Sequence, residues 1–118
     1  GRKLCFITDC LPAGGLPEGE YALGGQKIIY KGIVWRLEDG TVAGSVLPLN
    51  MGVWNVYSNS NIPLNECVNG ASLNPATTIG VADRKGSLEV GKDADIIITD
   101  DSFNVQKTII GGEIRYEA

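Results

Sequence analysis

Histidine is missing from this 118-residue chain. Imidazole is the commonest metal ligand and the usual general base near neutral pH, so its absence removes a Ser-His-Asp triad and a Cys-His pair. A hydrolytic zinc site normally takes two or three protein ligands from histidine, with carboxylate or cysteine completing it. Cysteines and carboxylates are present, but no CxxC or comparable ligand spacing. Alone, the chain is not expected to build a metal site, and any catalysis would be completed elsewhere. Long apolar runs are missing too. None approaches the ~20 residues that span a bilayer, and no signal-peptide pattern opens the chain. Basic residues are in deficit: ten Lys and Arg against fourteen Asp and Glu leave a net charge of −4. They are scattered singly and form no stripe to meet phosphates, so nucleic acid is not an expected partner. Cysteine is sparse and odd in number, at Cys5, Cys10 and Cys67. That favours a reducing compartment over a disulfide framework. The expected location is the cytoplasm, with no membrane association.

What is present begins at the third residue. Lys3-Leu4-Cys5-Phe6-Ile7-Thr8 is an almost wholly apolar run that stops on Asp9, and turn residues Pro12, Gly14, Gly15 and Pro17 follow. An apolar run without polar alternation reads as a strand buried on both faces, as in a parallel sheet with helices outside. A carboxylate at the C-terminal end of such a strand lies where barrel and doubly wound folds place their chemistry. The chain starts where such a sheet would be ending, so it reads as the tail of a longer enzyme.

After a Gly/Pro-rich connection, residues 20–23 and 26–30 flank Gly24-Gly25, and 33–37 follow Lys31-Gly32. Two-residue glycine turns between β-rich runs signal hairpins, and a small antiparallel meander closing at Asp39-Gly40 is expected. Residues 40–45 lead into a helical stretch, with Ser45 as N-cap and Pro48 in the first turn. Val46, Leu49, Val53, Val56 and Tyr57 make its apolar face. A second helix over about 63–72 and a short third turn begun by Asn74-Pro75 and ending near Gly80 follow. From Val81 the chain reads as β: a piece at 86–88, then 94–99, then 105–110 and 113–116 around Gly111-Gly112. These strands are few, with edges that lack an evident partner. Open edges invite pairing with other chains or with another part of a longer polypeptide.

The run Gly86-Ser87-Leu88-Glu89-Val90-Gly91-Lys92-Asp93-Ala94-Asp95-Ile96-Ile97-Ile98 resembles the C-terminal sandwich signature of the amidohydrolase superfamily. So does the closing Val105 with Thr108-Ile109-Ile110-Gly111-Gly112-Glu113-Ile114. Ile7-Thr8-Asp9 with the insert up to Tyr21-Ala22-Leu23-Gly24-Gly25, then Asp39-Gly40-Thr41-Val42-Ala43-Gly44-Ser45, then Ala71-Ser72-Leu73-Asn74-Pro75-Ala76 narrow it. In this order and spacing they resemble the C-terminal third of the N-acetylglucosamine-6-phosphate deacetylase family, and the resemblance covers essentially the whole chain.

The resemblance implies that Asp9 is the catalytic aspartate ending the eighth barrel strand. In that mechanism a divalent metal, zinc or iron, lowers the pKa of its bound water. The carboxylate accepts the water's proton as the N-acetyl carbonyl is attacked and returns it to the departing amine. Strand alternation places Cys5, Ile7 and Asp9 on one face, with Leu4 and Phe6 toward outer helices. The alternative is that Asp9 merely caps a turn, as aspartates after strands often do. The resemblance further implies that Val42, Ala43 and Gly44 contact the sugar, through backbone or shape since their side chains are small and apolar. The local alternative is a hairpin exit and helix N-cap. Cys10 departs from the family, where a small residue, often alanine, follows the aspartate, and it is read as inert buried packing. Trp35 and Trp54 are read as packing rather than sugar stacking. The Asp93/Asp95 and Asp100/Asp101 pairs are read as turn formers without chemistry.

The expected fold is an α/β fragment. Residues 1–80 would supply the last strand, a meander insert and helices of a (β/α)8 metal-dependent hydrolase barrel, and 81–118 the C-terminal strands of a small β-sandwich. The implied substrate is an amino-sugar phosphate, N-acetylglucosamine 6-phosphate. The metal and phosphate ligands would lie upstream, so no metal is expected on this chain alone and the isolated chain should be inactive. Two alternatives stay open. One is a non-catalytic association module, a homo-oligomer or strand-swapped dimer pairing through open strands. The other is a different amidohydrolase, dihydroorotase- or deaminase-like, against which the insert between Asp9 and Gly40 argues.

Overall fold

The computed structural model describes residues 3–11, 14–32 and 34–118. Pro12, expected in a turn, and Ile33, expected to open a strand, lie outside the described residues. The chain divides into two compact units, Thr8–Pro48 and a second formed by Gly1–Ile7 with Leu49–Ala118. It is an α/β chain with two small antiparallel sheets. Among the described residues no helix is long and apolar enough to cross a membrane.

The Thr8–Pro48 unit is a four-stranded meander of β1 (Gly19–Leu23), β2 (Gln26–Lys31), β3 (Val34–Leu37) and β4 (Val42–Ser45), paired in sequence order. Gly24 and Gly25 sit at φ +56° and +83°. Those left-handed values make the turn twist with its strands, which is why two glycines join β1 to β2. Ile28 and Trp35 are the buried centre, with Leu11, Tyr21, Tyr30, Leu37, Ala43 and Val46 packed around them. Tyr30 lies directly across from Trp35 in the ladder and stacks on it at 4.7 Å, while Tyr21 meets the indole edge-on at 5.2 Å. Such aromatic pairs add about 0.5–1.5 kcal/mol beyond area burial. Trp35 is therefore a core residue, as its place in the meander implied.

Two expectations fail in this unit. Val42–Ser45 is a strand rather than a loop running into a helix. It pairs antiparallel with β3, Val34 opposite Ser45, Trp35 opposite Gly44 and Arg36 opposite Val42, so a small-residue segment of modest β-propensity is made a strand by its partner. Ser45 is not a helix N-cap, because the first helix begins only at Leu49. Val46 accordingly joins the Trp35 core instead of a helix face.

The second unit contains α1 (Leu49–Asn59), α2 (Leu64–Ala71) and α3 (Leu73–Thr78), then the sheet β5 (Ile96–Thr99), β6 (Val105–Ile110) and β7 (Glu113–Glu117) in order β5-β6-β7. Val53, Cys67 and Ala76 are its buried apolar residues. The Asn50 side-chain amide donates to the Phe103 carbonyl at 2.9 Å, joining α1 to the loop before β6. Trp54 packs near Phe103, ring centroids 5.9 Å apart.

Residues 3–8 do not form the expected strand: they join no ladder. Within the unit, the Phe6 N–H donates to the Gly70 carbonyl at 2.8 Å and the Leu4 carbonyl accepts the Asn74 side-chain amide at 2.7 Å. These two backbone groups are satisfied by helix residues instead of a neighbouring strand. The alternation within this run is nonetheless present: Leu4 and Phe6 are half-buried, Cys5 and Ile7 exposed, Ile7 by 84%. The piece at 86–88 is likewise not a strand but part of a run of turns and bends.

Candidate active site

Asp9 and the Val42, Ala43, Gly44 stretch are far apart in sequence, and the meander brings them together. Residues 8–11 run alongside β4, with a single parallel bridge between Cys10 and Ser45. The Ser45 N–H donates to the Asp9 carbonyl oxygen at 3.0 Å, and the Leu11 N–H donates to the Ser45 carbonyl at 3.4 Å. Gly44 permits the approach. A Cβ there would stand 2.8 Å from Leu11 Cγ and 2.9 Å from the Asp9 carbonyl oxygen, so any side chain would push the two segments apart.

Asp9 has φ +50° and an exposed side chain. Left-handed backbone is uncommon outside glycine, with Asp and Asn the usual exceptions, and is maintained only where surrounding bonds over-determine it. Beside it, β4 carries a bulge. Trp35 pairs with Gly44 and Arg36 with Val42, which leaves Ala43 as the extra residue. Bulges re-aim side chains and are frequent beside active sites. Here Val42 is 58% exposed, Ala43 turns into the Trp35 core and Gly44 is buried. Val42 is thus the exposed side chain of this stretch, which carries no charged group of its own. The helix N-cap given as the local alternative is absent from this stretch, because the first helix begins at Leu49.

Cys10, read from sequence as buried, is exposed, and its thiol faces the Leu11 carbonyl at 3.5 Å. Among the described residues no group of three or more His, Cys, Asp and Glu side chains could hold a metal ion. Asp9 and Cys10 alone do not supply a ligand set.

Asp95 and Asp100 serve turns. Asp95 accepts from Lys85 and, at 2.9 Å, from the Gly111 N–H. The Lys85 ammonium first, and that N–H second, hold its carboxyl below the usual range. Lys85 also pairs with Asp93 at 2.9 Å, and its own pKa is raised by the hydrogen bonds to Asp95 and Asp93. Asp100 accepts from the Asn104 side chain at 2.8 Å and the Asn104 and Ser102 N–H groups at 2.9 Å, which lower its pKa in that order of Asn104 before Ser102.

Sequence reasoning missed Ser45. Its hydroxyl donates to the Thr8 carbonyl and accepts the Leu47 N–H at 3.3 Å, and no local pattern distinguishes it from an ordinary cap serine.

The amidohydrolase family pattern matches residues 35–115, well over half of the chain. This chain belongs to the amidohydrolase family. It is 41% identical over 114 residues to N-acetylglucosamine-6-phosphate deacetylase of Bacillus subtilis, covering 97% of this chain and 29% of that protein. It is 35% identical over 113 residues to a putative N-acetylgalactosamine-6-phosphate deacetylase of Escherichia coli, covering 96% of this chain and 68% of that protein. The crystal structure of N-acetylglucosamine-6-phosphate deacetylase from Pasteurella multocida superposes with a TM-score of 0.92 at 31% identity, over 98% of this chain and 30% of that one. The amidohydrolase chain thus spans about 30% of the length of the first curated relatives it matches.

Proposed function

We propose that this chain is the C-terminal third of a cytoplasmic deacetylase that hydrolyses N-acetylglucosamine 6-phosphate to glucosamine 6-phosphate and acetate. In this reading residues 1–80 end a (β/α)8 barrel and 81–118 supply strands of a small β-sandwich. Asp9 is the catalytic base, and Val42, Ala43 and Gly44 contact the sugar. The observation that carries the proposal is the close seating of Gly44 against Asp9, which sets a left-handed, exposed carboxylate beside an uncharged backbone edge. The exposed Cys5 and Ile7, and the exposed Ile97, Ile110, Ile114 and Tyr116 of the β5–β7 sheet, support neighbours supplied from outside this sequence.

The chemistry assigned to Asp9 is proton transfer. Its carboxylate takes a proton from the attacking water as that oxygen bonds to the N-acetyl carbonyl carbon. The proton then passes to the amine nitrogen as the C–N bond breaks, so acetate and the amino sugar leave with Asp9 ionised again. A divalent metal, zinc or iron, would be held by residues beyond this chain, as would the sugar phosphate. A swapped or homo-oligomeric partner is the competing account of the exposed strands.

The experiment is Asp9→Asn in the intact polypeptide carrying this sequence, with acetate release from N-acetylglucosamine 6-phosphate as readout. A loss of about 10²–10⁴-fold in kcat is expected, and wild-type turnover would sink the assignment. The 118-residue chain alone should release no acetate.

A further inference from the structure

The segment that carries Asp9 is anchored by one residue. φ of Asp9 is the rotation between the Thr8 and Asp9 carbonyl groups, and both carbonyl oxygens accept from Ser45. The Ser45 hydroxyl holds the Thr8 oxygen and the Ser45 N–H holds the Asp9 oxygen at 3.0 Å. The Leu11 N–H returns to the Ser45 carbonyl, and the hydroxyl is itself oriented by the Leu47 N–H at 3.3 Å. Half-buried Ser45 therefore clamps the chain on both sides of the Asp9 Cα. The main-chain members of this clamp survive any substitution. The hydroxyl bond depends on the side chain, and it grips the oxygen preceding the left-handed residue.

We propose that Ser45 is a positioning residue: its hydroxyl, acting through Thr8, keeps Asp9 in the left-handed conformation and so fixes where its carboxylate stands. The inference rests on Asp9 being the proton acceptor and goes beyond it by naming what sets the direction of transfer. A carboxylate misplaced by an ångström loses on the order of 10²-fold in rate without losing the substrate. The effect of removing the hydroxyl should therefore fall on kcat.

The test compares Ser45→Ala, Ser45→Thr, Asp9→Asn and the Ser45→Ala/Asp9→Asn double variant in the intact polypeptide, with kcat, KM and thermal midpoint measured for each. Ser45→Ala is expected to lower kcat by roughly 10–100-fold while KM stays within about twofold, a split that a general loss of structure does not give. Ser45→Thr, which keeps the hydroxyl, should retain most of the wild-type kcat. In the Asp9→Asn background the alanine substitution should cost less than about twofold further, because residues that act as a unit are not additive. Wild-type kcat in Ser45→Ala, an equal loss in both backgrounds, or Ser45→Thr no better than Ser45→Ala overturns the proposal. Should Ser45→Ala not fold, Ser45→Cys, a weaker donor of similar volume, takes its place and is read the same way. Full activity in Asp9→Asn is a separate result, and it removes the base assignment itself.

Discussion

A Cβ placed on Gly44 would stand 2.9 Å from the carbonyl oxygen of Asp9. That atom is backbone, and the other near neighbour, Leu11 Cγ at 2.8 Å, belongs to a side chain packed on the Trp35 core. Neither can withdraw freely. Gly44→Ala is expected to destabilise the meander by about 1–3 kcal/mol, the range for forced overpacking. It should also lower kcat, since the bonds to Ser45 lengthen with the displacement. Denaturant midpoints paired with kcat check both, and an unchanged midpoint would contradict the seating.

Gly70 presents a contest between two effects. Gly70 lies in the last turn of α2, where alanine is favoured over glycine by at most about 1 kcal/mol on helix propensity. A Cβ there would meet the Phe6 ring at 2.9 and 3.0 Å and Leu4 Cγ at 3.3 Å. Overpacking costs about 1–3 kcal/mol, so Gly70→Ala should be neutral to destabilising. Gly70→Ala combined with Phe6→Leu should recover part of the loss, because the ring that obstructs the methyl has gone. Thermal midpoints of the single and double variants decide it, and a Gly70→Ala variant more stable than wild type would mean the ring is not held there.

How much of this was legible beforehand depended on how local each determinant is. The β1–β2 hairpin follows from Gly24-Gly25 between β-rich runs, and Val105–Ile110 was bounded correctly at both ends because Gly111-Gly112 sets the turn. Helices in the regions of Leu49–Asn59 and Leu64–Ala71 followed from apolar spacing, but the start of the first, expected at Ser45 with Pro48 in its first turn, lies later, at Leu49. β4 did not, since a Val-Ala-Gly-Ser run has little strand character until Trp35 lies beside it. The placement of Asp9 after an apolar run was visible. Its left-handed backbone and the Ser45 hydroxyl were not, because that hydrogen bond joins residues 37 apart.

Trp35 is fully buried, and its indole N–H has no hydrogen-bond partner among the described residues. An unsatisfied buried donor costs about 1–3 kcal/mol, so part of the packing gain from this ring is already offset. Trp35→Phe removes the donor along with the second ring, and its net cost should fall well below the 3–5 kcal/mol typical of truncating a buried tryptophan to alanine. The stacking with Tyr30 and the edge contact with Tyr21 survive in phenylalanine. Equal losses for Trp35→Phe and Trp35→Ala in denaturant unfolding would show that the bare N–H carries no penalty.

The Lys85 hub gives a pH dependence whose sign follows from its partners. Asp95 is held below its ordinary pKa, first by Lys85 and then by the Gly111 N–H. A carboxylate depressed on folding contributes stability above its unfolded pKa, near 4, and loses it as pH falls through the lower folded value. Lys85 is raised by Asp95 and then Asp93. An ammonium raised on folding contributes fully below its unfolded pKa, near 10.4, and loses that contribution as pH rises through the higher folded value. Lys85→Met should therefore be less stable than wild type across neutral pH, with the gap closing below about pH 4 and again above roughly pH 10.5. Both Lys85 and its partners are about a third exposed, so added salt should narrow the neutral-pH gap as well. Urea midpoints of the two proteins at pH 3, 5, 7 and 11 measure it, and a gap that is constant across that range would show that the hub stabilises by packing of the lysine stem rather than by charge.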